Sequence, residues 1–188
     1  QRLERAVEAK ELLAEHAAAM LKTGEAVFLD SSTTAYYLAR RIVNLGLALT
    51  IVTNSLPIME LVASSQVPRL ELIGIGGALR KLTLSFVGQR ALADIASLYA
   101  DKTFFSVKGV TPSGNLTDPD PQEAEVKRAM IEQSREAILL VDETKFQQYG
   151  LYIIGPIKVV SQVLLADTGE DRAAALRGMG VHVRRIWR

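Results

Sequence analysis

The sequence predicts an α/β fold built on an open, mainly parallel β-sheet with helices on both faces. Two observations support this fold class: short, almost continuously apolar segments recur along the 188 residues, and segments with helical periodicity lie between them. Strands of a parallel sheet are buried on both faces, so they read as apolar runs rather than as alternating patterns. Because no repeat or linker divides the chain, we expect one domain over residues 1–188.

The predicted elements follow one another in regular alternation. A first helix covers residues 1–23, and its apolar stripe stops at Gly24, a residue that commonly ends helices. It starts inside the helical pattern without a capping residue, as a frayed terminus or a piece of a longer protein would. The other predicted elements are strands at 26–29, 48–53, 70–75, 103–107, 137–142 and 159–166, and helices at about 34–45, 55–64, 87–99 and 122–135.

Composition excludes several classes of function. The net charge of +1 lacks the excess expected of a nucleic-acid-binding surface. The chain has no cysteine, and His16 and His182 have no partner at metal-ligand spacing, so we predict no metal and no cofactor. The longest apolar runs, such as residues 137–141, are far shorter than the roughly 20 residues of a membrane span. We therefore expect a cytoplasmic protein without a membrane partner.

Small hydroxyl residues, glycines and basic residues follow the predicted strands. Ligands bind at this edge of an open parallel sheet, beyond the carboxyl ends of the strands. Each group alone is ordinary for a loop, but five together favour a polar ligand site. The residues concerned are Asp30, Ser31, Ser32, Thr33 and Thr34 after the first strand, Thr53, Asn54 and Ser55 after the second, Gly76, Gly77 and Arg80 after the third, Lys108 after the fourth, and Lys145 after the fifth.

The segment DSSTT at residues 30–34 carries more hydroxyls than a helix start requires. One small polar side chain caps a helix, and the surplus hydroxyls with free backbone N–H groups form a cradle for a phosphate. Asp30 opposes an anion by its charge, so we expect it to bind a sugar hydroxyl or a backbone N–H. The glycines of GIGGALRK at 74–81 lack the GxGxxG spacing of a dinucleotide site, although they would let a ligand approach the backbone.

The segment around residues 120–127 predicts a capped helix. Asp120 stands at the N-cap and Pro121 at the first helical position, with Glu123 in the first turn. Glu123 and Lys127 have the i, i+4 spacing of a surface ion pair. Because this helix would enter beside the proposed cleft, Lys127 is also a candidate ligand contact.

These residues form an ordered series that resembles a known family. The series comprises DSSTT at 30–34, TNS at 53–55, GG at 76–77 with Gly88, Asp101 before an aromatic strand, GxLT at 114–117, the helix with Glu123 and Lys127, and DETKF at 142–146. From about residue 8 to 168, it resembles the C-terminal effector-sensing domain of the DeoR family of bacterial transcriptional regulators. The resemblance implies a fold similar to ribose-5-phosphate isomerase and the coenzyme A transferases.

The resemblance also implies a function. Such domains are receptors for a phosphorylated sugar or a related metabolite, and most of their regulators repress operons of sugar metabolism. They form dimers or tetramers and contact operator DNA through an N-terminal winged helix-turn-helix. Residues 1–23 supply a single helix, so we expect that DNA-binding domain to be absent from this chain.

Site residues carried over from the family fall into three groups. Asp30 and residues 32–34 resemble the family's phosphate-binding loop. Residues 53–55 and 76–77 resemble the walls of its cleft, and Asp101 and Lys145 resemble its remaining polar contacts. Two positions depart from the family pattern. Ser32 replaces a common glycine, which requires ordinary backbone angles there, and Lys108 replaces a small or polar residue, which favours a strongly anionic effector.

Two other readings compete with a sensor. A sugar-phosphate isomerase would need a base and a group that polarises a carbonyl, roles that Lys108, Glu123 or Asp101 could fill. Against it, the Asp101–Lys102 pair lacks the paired aspartates of isomerases that resemble this fold. A pure oligomerisation module would use the apolar stripe of the first helix. We predict a sensor that also self-associates.

Overall fold

The computed structural model describes residues 1–187, which form one large sheet and two small ones. The strands are β1 (Ala26–Leu29), β2 (Leu49–Thr53), β3 (Leu70–Gly74), β4 (Ala78–Arg80), β5 (Ser85–Val87), β6 (Ala100–Phe105), β7 (Gly109–Val110), β8 (Asn115–Asp118), β9 (Ser134–Asp142), β10 (Tyr152–Pro156), β11 (Gln162–Ala166) and β12 (His182–Ile186). The helices are α1 (Arg2–Ala18), α2 (Thr33–Leu45), α3 (Leu56–Ala63), α4 (Gln89–Ala96), α5 (Pro121–Glu132) and α6 (Glu170–Arg177). Short 3-10 turns cover Glu143–Phe146 and Ile157–Val159.

The large sheet has seven strands in the order β12-β11-β9-β6-β1-β2-β3, and all its pairs are parallel. Alternate residues of its strands pack on opposite faces. Val27 and Leu29 of β1 join the cluster that includes α1, α2 and α3, whereas Phe28 joins the cluster that includes α4 and α5. The predicted fold class, an open parallel sheet covered on both faces, is therefore confirmed.

Local capping explains where the helices beside the site begin. The Ser32 hydroxyl accepts a hydrogen bond from Ala35 N at 3.1 Å, and α2 ends at Gly46 in the left-handed conformation. Asp120 accepts a bond from Glu123 N at 2.9 Å, and Pro121 occupies the first turn of α5, as predicted. Ser32 has φ −69° and ψ 153°, ordinary extended angles, so a serine fits this turn without strain.

Several elements differ from the sequence-based predictions. The last predicted strand begins at Gln162 rather than at 159, because Ile157–Val159 form a 3-10 turn. The β4–β5 hairpin, the antiparallel sheet β10-β8-β7, α6 and β12 were not predicted. Among residues 1–187, no helix is both long and apolar enough to cross a bilayer.

Candidate functional site

A cleft of about 380 Å³ opens at the carboxyl edge of the large sheet. It is bounded by the β1–α2 loop, the β4–β5 hairpin, the β6–β7 loop, the start of α5, and one residue each from α1 and the 3-10 turn at 143–146. Its lining comprises Lys10, Ser31, Ser32, Thr33, Thr34, Arg80, Thr83, Ser106, Val107, Lys108, Asp118, Pro119, Glu123, Lys127 and Lys145. Eight of the predicted site residues therefore share one cleft.

The start of α2 offers donors that the protein itself does not use. Ser32 donates its hydroxyl to Asp30 Oδ1 at 2.6 Å and caps the helix, so its polar atoms are occupied. The next two residues, Thr33 and Thr34, make no hydrogen bond through their hydroxyls or backbone N–H groups to any other part of residues 1–187. Free N–H groups at a helix start, beside free hydroxyls, are suited to a phosphate.

Asp30 lies beneath the cleft and does not line it. Its carboxylate is buried, pairs with the Lys127 ammonium, and accepts bonds from Ser32 N at 3.2 Å and Ser106 N at 3.1 Å. The expected contact with a backbone N–H is present, but these partners leave no room for a sugar hydroxyl. Asp30 thus holds two cleft loops together.

Lys127 is the buried centre of this network. Its ammonium also donates to Ser106 O at 2.9 Å. Burial would lower the pKa of Lys127, but the carboxylates of Asp30, Asp118 and Glu123 outweigh that effect and raise it. The prediction that Glu123 and Lys127 form a surface pair is wrong, because the turn of α5 that carries them faces the cleft and both are buried.

Glu123 ties the β4–β5 hairpin to the rest of the cleft. Its carboxylate accepts hydrogen bonds from Ser31 Oγ at 2.9 Å, Thr83 Oγ1 at 2.8 Å and the Ser85 hydroxyl. Arg80 lies 3.8 Å from this carboxylate and 3.5 Å from that of Asp120. Arg80 is thus engaged by two carboxylates, and its charge is largely balanced before any ligand enters.

Three other lysines of the cleft have no carboxylate partner among residues 1–187. Lys10 of α1, Lys108 after β6 and Lys145 of the 3-10 turn form no ion pair within the described residues 1–187. Burial lowers the pKa of Lys145, and the positive charges of Lys10, Lys127 and Lys108 lower it further, against the attraction of Asp142. An anion placed among these lysines would remove their mutual repulsion.

Asp118 supplies a carboxylate on the floor of the cleft. It is buried, and its Oδ1 accepts a bond from Asp120 N at 3.0 Å. Burial raises the pKa of Asp118, although Lys127 and the Asp120 N–H favour its charged form. A ligand hydroxyl that donates to Asp118 would help to compensate for the lost hydration.

Seven predicted site residues lie outside the cleft lining: Asp30, Thr53, Asn54, Ser55, Gly76, Gly77 and Asp101. Thr53 Oγ1 donates to Leu29 O at 2.7 Å, Asn54 Nδ2 donates to Phe86 O at 2.9 Å, and Ser55 caps α3. These hydrogen bonds lie within the fold, although Asn54 Oδ1 is buried without a hydrogen-bond partner among residues 1–187.

Gly77 and Asp101 have structural roles, and Gly76 lies beside Gly77 outside the cleft lining. Gly77 has φ +142°, and a Cβ on it would stand 2.7 Å from Val87 O, so glycine is required by packing. Gly76 directly precedes it at the entry to the β4–β5 hairpin. Asp101 accepts a bond from Ala26 N at 2.9 Å at the amino edge of the sheet, across from the cleft.

The sequence analysis did not place seven lining residues in the site: Lys10, Thr83, Ser106, Val107, Asp118, Pro119 and Glu123. Asp118 ends β8 and Pro119 follows it, but β8 was not predicted, so the search for polar residues after strands did not reach them. Lys10 had none, because a lysine on an amphipathic helix is usually solvated.

Comparison with known proteins identifies the family of this chain. The model of the DeoR C terminal sensor domain matches residues 5–167. An uncharacterised HTH-type transcriptional regulator of Bacillus subtilis is 33% identical over 165 residues, 88% of this chain and 62% of that protein. The glycerol-3-phosphate regulon repressor of Escherichia coli is 31% identical, over 83% of this chain and 61% of its own length. This chain thus spans about three fifths of the length of these relatives.

Solved structures agree with the fold. Ribose 5-phosphate isomerase A from Methanocaldococcus jannaschii superimposes with a TM-score of 0.51 at 17% identity, over 74% of this chain and 54% of that one. The delta subunit of eIF2B from Chaetomium thermophilum gives 0.60 at 15% identity, over 85% and 56%. At such identities only the fold is shared, so the isomerase likeness carries no enzymatic function. The chain belongs to the family of DeoR C-terminal sensor domains, which are sensors of transcriptional regulators and not enzymes.

Proposed function

We propose that the cleft binds a phosphorylated sugar or a related metabolite, and that this chain is the effector-binding domain of a regulator of sugar metabolism. One observation carries the proposal: unpaired Lys10, Lys108 and Lys145 surround a cleft that also contains the free donors of Thr33 and Thr34. Unpaired cations beside a helix start favour an anionic group with several acceptor oxygens.

The Asp118 carboxylate favours a polyol attached to that anion. Asp118 lines the cleft and accepts one hydrogen bond, from Asp120 N, and a sugar supplies hydroxyl donors for an acceptor of this kind. The cleft volume of about 380 Å³ is at the small end of the range typical of ligand pockets. Relatives named as an L-fucose operon activator and a glycerol-3-phosphate regulon repressor support this class of effector.

The signal would act on a DNA-binding segment outside this chain. An effector that binds one arrangement of the domain better than another shifts the population between them. A tenfold change in operator affinity needs only about 1.4 kcal/mol of differential binding. We further propose that the domain works as a homo-oligomer, a dimer or tetramer, and sedimentation of a monomer at high concentration would contradict this.

The test is an NMR titration of the ¹⁵N-labelled chain with a panel of sugar phosphates of increasing length. We expect saturable shifts at residues 31–34 and no new ligand signals over hours. Lys108→Ala should weaken binding, whereas the matched control Lys158→Ala, which removes an exposed lysine outside the cleft, should not. Unchanged affinity in Lys108→Ala, or turnover of the ligand, would contradict the proposal.

A further inference from the structure

Helix α1 meets the core only in its second half. Its buried side chains begin at Ala9 and continue through Leu12, Leu13 and Ala14 to Ala17 and Ala18. The preceding turns are largely exposed, and Leu3 keeps 83% of its surface in solvent. Lys10 therefore stands where the helix first contacts the domain, and its side chain lines the ligand cleft.

A second cavity, of about 870 Å³, separates those first turns from the rest of the molecule. On one side it is lined by α1 from Arg2 to Ala9, and on the other by Asp142, Glu143, Thr144 and Gln147 in and around the 3-10 turn. The same turn carries Lys145, which lines the ligand cleft. Two elements that are separated by open space thus each direct one lysine into the cleft.

The charges oppose a closer approach of these elements while the cleft is unoccupied. Lys10 and Lys145 carry like charges, and neither has an ion-pair partner within residues 1–187. An anion between them reverses the sign of the interaction, since each lysine is then attracted to a shared negative group. The gain is largest at a partly desolvated site such as this one.

We propose that Lys10 is an effector-binding residue, and that an anion held jointly by Lys10 and Lys145 draws the amino-terminal turns of α1 toward the 3-10 turn. This inference rests on the proposed function, because it requires an anion in the cleft. It names a residue that joins the ligand directly to α1. The exposed turns from Arg2 to Glu8 then report occupancy of the cleft.

Hydrogen exchange with inorganic phosphate as the probe tests the proposal at constant ionic strength. In the wild-type chain, saturating phosphate should slow exchange of the amides from Ala6 to Lys10 and of residues 143–146. Lys10→Gln should weaken phosphate binding about tenfold, the effect of one charge-assisted hydrogen bond, and abolish the slowing in α1. Lys10→Arg should retain both effects.

Lys22→Gln is the matched control, because it removes the same charge from an exposed lysine outside the cleft. A wild-type chain that fails to bind phosphate or any sugar phosphate would overturn the proposed function together with this inference. Wild-type binding that Lys10→Gln leaves unchanged would overturn the role of Lys10 alone. Weakened binding without any change in α1 exchange would overturn the coupling to the helix.

Discussion

The two edges of the large sheet each carry a buried lysine, but their surroundings differ. At the amino edge, Lys102 pairs with Glu25 and lies 4.0 Å from Glu136, while Asp101 accepts a backbone N–H. At the carboxyl edge, Lys127 pairs with Asp30 in the same manner. The carboxyl edge adds three further lysines around one cleft, Lys10, Lys108 and Lys145, and none of them forms an ion pair within residues 1–187.

The difference teaches that the state of pairing, rather than residue type, distinguishes a candidate binding surface from structural polarity. A buried pair such as Lys102–Glu25 fixes two strands and has little left to offer a ligand. Unpaired lysines beside free helix donors leave positive charge uncompensated, and a bound anion compensates it. Both kinds of site contain lysines and carboxylates, so composition alone does not separate them.

The largest effect is expected from breaking the buried Asp30–Lys127 ion pair beneath the cleft. Lys127→Met should lower the free energy of unfolding by about 3–5 kcal/mol, because it leaves the Asp30 carboxylate buried without a counter-charge. Lys102→Met should cost less, roughly 1–3 kcal/mol, since Glu25 retains some access to water. Urea unfolding measures both values. An equal or larger loss in Lys102→Met would show that the two edges do not differ as described.

Local signals explain how much of the fold was predictable. Residues 137–141 are continuously apolar and become the core of β9, and the Asp120-Pro121 pair begins α5 where predicted. The strands β4 and β5 have only three residues each, so no long apolar run marks them. Strand β12 lies at the edge of the sheet and contains two arginines, so no apolar run marks it either.

Site residues could be predicted from the sequence only where they follow a predicted strand, because that places them at a known edge of the sheet. Residues that directly follow strands, such as Thr33 and Lys108, reach one edge because parallel strands share a direction. Lys10 could not be found in this way, since its position depends on how α1 packs on the large sheet and α2. Thr53 shows the opposite failure: it follows a strand, but its hydroxyl is used by Leu29 O within the fold.

A smaller effect distinguishes the ligand-binding role of Thr33 from the capping role of the adjacent Ser32. Thr33→Val should weaken binding of a sugar phosphate by about 1–3 kcal/mol, because a free hydroxyl is lost. Its effect on unfolding should stay within about 0.5 kcal/mol, since Thr33 is exposed. Ser32→Ala should instead destabilise the chain by about 1 kcal/mol through loss of the α2 cap.

Calorimetric titration and urea unfolding of the two variants separate the ligand-binding role from the capping role. Thr23→Val is the control, since Thr23 is an exposed threonine outside the cleft. Full affinity in Thr33→Val would place the phosphate away from the start of α2.

The smallest expected effect concerns protons taken up on binding. Burial lowers the pKa of Lys145 below its ordinary 10.5, so the charged form is disfavoured in the folded chain without ligand. Its contribution to stability is therefore fully present above pH 10.5 and is lost as pH falls through the lowered pKa. A bound anion favours the charged lysine and raises this pKa again, so binding at a pH between the lowered pKa and 10.5 should take up a fraction of a proton.

Titration calorimetry at that pH, in two buffers that differ in ionisation enthalpy, measures the uptake. Lys145→Gln should reduce it while leaving the ionisation of the ligand unchanged, so the difference between the two chains isolates this lysine. The corresponding difference should vanish at a pH well below the lowered pKa, because Lys145 is then charged with or without ligand. Equal proton uptake by both chains at the higher pH would mean that the anion binds away from Lys145, and the three unpaired lysines would then not form a single site.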